Sequence, residues 1–392
     1  MSKGKWEMVP LEQVIANRLG SIDPSKYPDE TFDLYSIPSF DRGQHEIVQG
    51  SVIGSSKQIV QENDVMLSKI VPHIRRAWVV GSSNGRRMIA SGEWIVFRST
   101  SFHPAYLKRV LTSNEFHTQF MGTVAGVGGS LLRARPSQVA KIHIPCPPLP
   151  EQRRIAAILD TADLIRRKRK AAIAKLDELA QSVFYEMFGD PVKNEKGWEI
   201  SELSSIAEIR IGPFGSLLHK NDYVPDGIPL INPCHMIDRK VYCEPDYSVA
   251  PDKLKELASY RVKANDLIFA RRGDIGRCAI ITETEDGYLC GTGSMFVRPN
   301  PNTINSIFLL HAMTSNGIKQ ELENKSKGIT MKNLNSAELG STTIPVPPIK
   351  KQNRFFELLS QIESLSNKQN LAFTDEDLLF SSLQHRAFSG EL

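Results

Sequence analysis

Two stretches of the chain place apolar residues at alternating spacings of three and four, and both follow one frame. In the first, Ile155, Ile158, Ala162, Ile165, Arg169, Ala172, Leu176, Leu179, Val183 and Glu186 occupy the seam positions of a heptad, and eight of the ten are apolar. An offset of 200 residues gives Phe355, Leu358, Ile362, Leu365, Gln369, Ala372, Glu376, Leu379, Leu383 and Arg386, seven of them apolar. The pattern predicts two long amphipathic helices whose narrow seams pack along each other. Gly189 and Pro191 punctuate the end of the first and Gly390 the end of the second. From Glu151 to Phe188 the first would run roughly 57 Å at 1.5 Å per residue. Laid antiparallel, the pair would bring Arg169 and Gln369 together as a polar layer. Thr374, followed by Asp375 and Glu376, has the chemistry of an N-cap, so a break in the second helix is expected there.

The remaining sequence reads as two related domains. Residues 5–20 align with 197–212, keeping Trp6/Trp198, Glu7/Glu199, Leu11/Leu203, Arg18/Arg210 and Gly20/Gly212. NDVMLS from Asn63 aligns with NDLIFA from Asn265, a polar turn pair feeding an apolar strand. IPCPPLPEQRR at 144–154 aligns with IPVPPIKKQNR at 344–354, with six identities in eleven. Collinear matches whose offsets differ only by short indels mark a duplication. The expected architecture is α/β with a pseudo-twofold internal repeat. Two α/β domains at 1–148 and 191–347 are separated by two long antiparallel helices at 149–190 and 348–392. Trp6 and Trp198 stand at matching positions, where a core role outweighs base stacking.

Composition and charge narrow the class. A chain of 392 residues exceeds what one core usually serves, and 41% hydrophobic with 23% charged residues is globular. No apolar run spans a membrane and the opening residues lack a secretory pattern, so a cytoplasmic location is expected. Cys146, Cys234, Cys243, Cys278 and Cys290 form no metal-ligand spacing and read as reduced, mostly core thiols. The net charge is only +4, but residues 130–176 hold eleven Lys or Arg against three Asp or Glu. That local excess includes the run Arg166 to Lys170, expected to meet an acidic partner surface or DNA backbone, with a solvated helix face as the plain alternative.

Catalytic motifs are missing. The sequence holds no G-x-x-x-x-G-K-[ST] phosphate loop, no G-x-G-x-x-G fingerprint, no H-E-x-x-H and no Asn/Asp-Pro-Pro-aromatic tetrad. Pro251-Asp252 and Glu323-Asn324-Lys325 are too short and too far apart to signal a metal site, and none is expected. Residues suited to DNA do occur in both halves, because phosphates call for cations and base edges for Arg, Lys, Asn or Gln. In the first half these are Lys69, Arg75, Arg76, Arg86, Arg87 and Arg133, with Gly128 in a Gly-rich loop whose amides could approach a phosphate or simply turn the chain. In the second they are Arg271, Arg272, Arg277, Lys327, Lys332 and Asn333. Taken singly, each is more readily a solvated surface charge than a base contact; the clustering raises the set.

A variable domain, a PxPPL-x-EQ box, a basic helix, a second variable domain and a repeat of the box, closing on AFSGEL, resemble the specificity subunit of type I restriction-modification systems. The likeness covers the whole chain. IGPFGSLLHKNDY at 211–223, NDLIFARRGDIGR at 265–277 and KGITMKNLN at 327–335 are similar to segments of that family's target recognition domains. The resemblance implies a non-catalytic, DNA-binding subunit in which each domain reads half of a split target and the helices set the gap. It also implies that two methyltransferase subunits dock on the helices and translocating nuclease subunits join them. S-adenosylmethionine, ATP and Mg would then belong to the partner subunits and no cofactor to this chain. The second box reads PPIKKQ and the second helix lacks the RRKRK cluster, which puts equal docking strength in doubt. A self-contained DNA-modifying enzyme and a coiled-coil scaffold that never meets DNA are the other readings.

Overall fold

The computed structural model describes residues 6–16, 19–125, 132–214, 217–243, 247–326 and 333–392. The chain forms two compact units, Met1–Ala171 with Asn370–Leu392, and Ala172–Gln369. The helices are therefore not domains of their own: each divides near its middle, because its two ends belong to different hydrophobic cores.

In the first unit, five strands lie in the order Ser21–Ile22, Lys57–Ile59, Arg87–Ala90, Thr31–Tyr35, Glu46–Gln49. A three-stranded sheet runs Ala77–Val79, Val65–Ser68, Trp94–Phe97. Helices Pro104–Leu111 and Asn114–Met121 cover the latter and place Tyr106, Leu107, Val110, Phe116 and Phe120 in one core with Val65 and Phe97. The second unit has four-stranded sheets in the orders Ala207–Ile211, Ser294–Pro299, Leu267–Ala270, Cys278–Ile280 and Tyr223–Val224, Ser248–Val249, Ile228–Ile231, Leu289–Cys290. Its helices Ser306–Met313 and Asn316–Lys325 pack on the first of these sheets.

The duplicated sequence blocks fold alike inside each unit. Met8–Pro10 pairs with His143–Pro145, Val9 opposite Ile144, and Ile200–Glu202 pairs with Thr343–Pro345, Ser201 opposite Ile344. The opening segment thus ties down the proline box that launches each helix. Asn63 and Asn265 take left-handed φ values of 70° and 72°, a conformation Asn tolerates, and turn the chain into the Val65 and Leu267 strands. The neighbouring aspartates are buried. Asp64 accepts two bonds from Arg98, both 2.7 Å, and Asp266 two from Arg298, at 2.9 and 2.7 Å.

The long helices are Leu149–Phe188 and Ile349–Ser389. Gly189 at φ 79° and Gly390 at φ 83° terminate them, the left-handed residue letting the chain fold back onto the open carbonyls. The Thr374 break does not occur. The Thr374 hydroxyl donates to the carbonyl of Asn370, 3.1 Å away, so it bonds back into the helix instead of capping a new one.

The seam also departs from the expected frame. Ile155 and Phe355 are buried, while Ile158, Arg169, Leu176, Leu358, Ile362, Gln369 and Leu383 are half-buried. Ile165, Leu179, Leu365 and Leu379 are 49%, 46%, 46% and 58% exposed and do not belong to it. The line from Ile155 to Val183 and that from Phe355 to Leu383 keep the expected protection, while the line beside each runs through Leu159, Arg166, Ile173 and Ala180 on the first helix and Leu359, Ser366, Phe373 and Phe380 on the second, one residue beyond the expected positions. The cause is the domain beside each helix: Ala156 and Leu159 join the first core and Leu359 the second, which turns the buried face by one residue. Arg166, too polar to be chosen from the pattern, pairs with Asp163 and Asp377 and lies 4.4 Å over the Phe380 ring. Arg169 meets Glu376 at 2.7 Å, so its ionic partner stands two turns along the second helix from Gln369.

Candidate nucleic-acid interface

The two tryptophans are half-buried and serve the helix ends rather than a core centre. The Trp6 indole N–H donates to Ala387 O at 3.0 Å, and that of Trp198 to Phe188 O at 2.9 Å, closing carbonyls that the last helical turn leaves open. Cys278 and Cys290 are buried, but Cys234 is exposed and so is not a core thiol.

Two buried glutamines in the proline boxes hold each helix to its domain. Gln152 accepts from the His103 amide at 2.7 Å and donates to Ser101 O and Pro147 O, both 2.8 Å. Gln352 accepts from the Asn305 amide at 2.7 Å and donates to Thr303 O at 3.2 Å and Pro347 O at 2.7 Å. His103 and Asn305 are the N-cap residues of Pro104–Leu111 and Ser306–Met313. One side chain thereby fixes the root of the long helix against the start of a domain helix. The signal was in the sequence: Gln is the residue the two boxes share at that place.

In the first unit most of the arginines proposed for DNA already hold a carboxylate. Arg76 is buried and forks onto Asp41 at 2.8 and 2.9 Å. Arg86 meets the buried Asp33 at 2.5 Å, and Arg87 pairs with Glu30 while stacking 4.2 Å over the Tyr27 ring. Arg133 reaches Glu93 at 3.2 Å. Arg75 is exposed and donates to Asn114 Oδ1 at 2.6 Å, and Lys69 is half-buried, its backbone bonded to Glu93 and Ala134. Gly128 lies outside the described residues. The Arg166 to Lys170 run is only in part a free basic face, since Arg166, Arg167 and Arg169 hold acids and Lys168 and Lys170 are exposed.

The second unit keeps its cations freer. Arg271, Arg272 and Asn333 come together: the Leu334 amide donates to Arg271 O at 2.9 Å, and Arg272 forms a β-bridge with Asn333. Among the described residues, no carboxylate pairs with either arginine. The Arg271 side chain is buried; burial and then the adjacent Arg272 charge push its guanidinium below the usual range. Its Nε and the Oδ1 of Asn333 are buried without a hydrogen-bond partner among the described residues. Unsatisfied groups of this kind carry a free-energy penalty that a polar ligand relieves. Arg277 is tied to Asp274 at 3.2 Å and Pro233 O at 3.1 Å, and Lys327 and Lys332 lie outside the described residues. No cluster of His, Cys, Asp or Glu able to hold a metal is present among the described residues, and no helix there is long and apolar enough to cross a membrane.

The family model for the type I restriction modification DNA specificity domain matches residues 3–175 and again 195–372. The chain belongs to that family. The double match coincides with the repeat described above. Among relatives of the specificity family, the type I restriction enzyme EcoBI specificity subunit of Escherichia coli is 24% identical over 64% of this chain and 58% of its own length. The MjaIX specificity subunit of Methanocaldococcus jannaschii is 21% identical over 86% of this chain and 79% of its own. The chain spans a little over half the length of the first relatives it matches, at 58%, 54% and 56%. A solved chain from work on complex assembly and conformational transition of the type I R-M system aligns over 99% of this chain and 98% of its own, with a TM-score of 0.65 at 20% identity. The type I S subunit from M. genitalium aligns over 99% and 97% at 0.58 and 12% identity. These likenesses establish the fold, mixed α/β with two specificity-domain repeats.

Proposed function

We propose that this chain is the reader of a type I restriction-modification complex: each α/β domain takes one half of a split DNA target, and the long helices set the unspecific gap. The observation that carries the reading is the contrast within the repeat. Both units keep the same buried clamps, Gln152 and Gln352, Asp64–Arg98 and Asp266–Arg298, while the basic loops around them differ in residues and in pairing. A common frame with unlike surfaces suits a symmetric platform reading an asymmetric sequence. In the second domain, Arg271, Arg272 and Asn333 are the residues of choice for bases and phosphates, given that Arg271 Nε and Asn333 Oδ1 find no partner among the described residues.

The helices are read as an antiparallel pair related by a pseudo-twofold. In support, partners descend along the second helix as the first advances in the first unit, from Arg154 with Leu392 to Arg166 with Asp377 and Arg169 with Glu376. The exposed Leu164, Ile165, Leu371, Leu378 and Leu379 of that unit offer apolar area for methyltransferase docking. Catalysis, S-adenosylmethionine, ATP and Mg are assigned to partner methyltransferase and nuclease subunits.

The helix-as-ruler reading is tested by inserting seven residues after Ala172 and seven after Ala372, which preserves the seam. Each helix lengthens by about 10.5 Å, or about three base pairs at 3.4 Å each. Methylation mapping should show the gap widened by that amount with both half-sites unchanged. An unchanged gap defeats the ruler; methyl transfer or cleavage by the purified chain alone would point to a self-contained enzyme.

A further inference from the structure

Within the first unit a cleft of about 550 Å³ opens between the α/β domain and its helical segments. Five cations line it, Arg75, Lys108, Arg109, Arg166 and Arg167, against the two carboxylates Asp163 and Asp377. The carboxylates are already spent on arginines: Asp163 holds Arg109 at 3.0 Å and Arg167 at 2.9 Å, and Asp377 holds Arg166. Lys108 is left over. Among the described residues no carboxylate pairs with its ammonium, and the Arg166 Nε is buried with no partner. Burial, with Arg109 and Arg167 nearby, pushes the Lys108 ammonium below the usual lysine range, and Asp160 and Asp163 offset this only in part.

The repeat supplies an internal control. Aligning the domain helices on their N-cap residues, His103 and Asn305, puts Leu310 at the place of Lys108 and His311 at that of Arg109. Leu310 is buried, and His311 is packed on Phe184 and Phe355 with ring centroids 5.7 and 5.1 Å away. The 200-residue offset of the long helices puts Ser366 and Asn367 at the places of Arg166 and Arg167. The frame thus tolerates an apolar filling at this junction, and the first unit instead maintains an open, cation-rich cleft at a cost in desolvation.

We propose that this cleft is a phosphate-binding subsite anchored by Lys108, with Arg75 and Arg166 as further donors to the phosphate oxygens. The phosphate comes from the DNA backbone or from a nucleoside phosphate. The DNA source rests on the reading given under Proposed function; the subsite itself does not. A tetrahedral phosphate offers oxygens in several directions at once, which suits cations converging from the domain and from the first long helix. A DNA phosphate held there would fix the first domain at its root, as a positioning contact that carries no base identity.

The test uses the full chain and inorganic pyrophosphate as probe, with sodium chloride at equal ionic strength as control. Thermal unfolding of the wild type and of Lys108→Arg should shift upward with pyrophosphate, while Lys108→Leu, which copies the second half, should lose at least tenfold in apparent affinity. Lys108→Leu should also be no less stable than wild type without the probe, which establishes that it folds. An equal shift in wild type and Lys108→Leu, or no shift in either, overturns the proposal; so does loss of subunit assembly without loss of pyrophosphate binding, which would assign the cleft to an acidic partner. Salt titration of DNA binding by the assembled complex then separates the sources. A slope reduced by about one in Lys108→Leu marks a DNA phosphate, and an unchanged slope with loss of ATP protection marks a nucleoside phosphate. Absence of DNA binding by the wild type with the pyrophosphate shift intact would sink the DNA-reading function and leave the subsite standing.

Discussion

Replacing Gln152 by Leu should destabilise the first unit far more than a surface change, although size is nearly conserved. The side chain is fully buried and satisfies three backbone groups, the His103 amide and the carbonyls of Ser101 and Pro147. Leucine satisfies none, and a buried donor or acceptor left unmade costs about 1–3 kcal/mol. Three such groups set an upper range near 9, but relief of burying the amide and gain of apolar contact offset part, so a loss of about 3–5 kcal/mol is expected. That is a large share of a stability of about 5–15 kcal/mol. Gln352→Leu should cost the second unit a similar amount, because its three bonds are the same in kind. Denaturant titration measures the loss, and hydrogen exchange locates it: the His103 amide should lose protection in Gln152→Leu and the Asn305 amide in Gln352→Leu. Gln152→Glu adds a sign test. A buried carboxyl facing two carbonyls has a folded pKa above its unfolded value of about 4.3. Its stability relative to wild type is therefore best below that value and falls as pH rises through the folded pKa. A cost under about 1 kcal/mol in both leucine variants, well below the hydrogen-bond expectation, would refute the clamp.

Arg98→Met should cost the first unit about 3–5 kcal/mol by stranding the buried Asp64, and combining it with Asp64→Leu should recover much of it, as read by chemical denaturation. Equal losses in the single and double variants would mean that the pair is not the stabilising element. His311 is held by burial, and then by Arg239, at a pKa of about 3. The second unit thus keeps its full stability above the unfolded value of about 6.5 and loses it as pH falls from there towards about 3, by up to about 1.4 kcal/mol per pH unit. His311→Phe should flatten that part of the acid profile in thermal unfolding, and parallel profiles for the two proteins would count against it.

What was legible in the sequence follows from what periodicity can encode. The duplication, the helices and their glycine ends are properties of spacing, and spacing survives in sequence. Part of the seam differs by one residue because Ile165 and Leu179 out-compete Arg166 and Ala180 on hydropathy, whereas the fold gives Arg166 two carboxylates and a Phe380 ring, and spends exposed Ile165 and Leu179 on the outer face. Thr374 has the chemistry of a cap but also of a hydroxyl that bonds back to the preceding turn, and only tertiary packing decides between them. Charge was the least legible property. Arg76, Arg86, Arg87 and Arg133 looked available because Asp41, Asp33, Glu30 and Glu93 lie 35 to 57 residues away in sequence and are brought close only by the sheets. Arg271 and Arg272 look the same on paper, yet among the described residues no carboxylate pairs with either, and the backbone of Arg272 bridges that of Asn333. A basic residue's availability to phosphate is thus a property of its neighbours, and the two halves differ there more than in their frame. The proposed split target is consistent with that difference, since two domains that read unlike half-sites need unlike cations on a repeated frame.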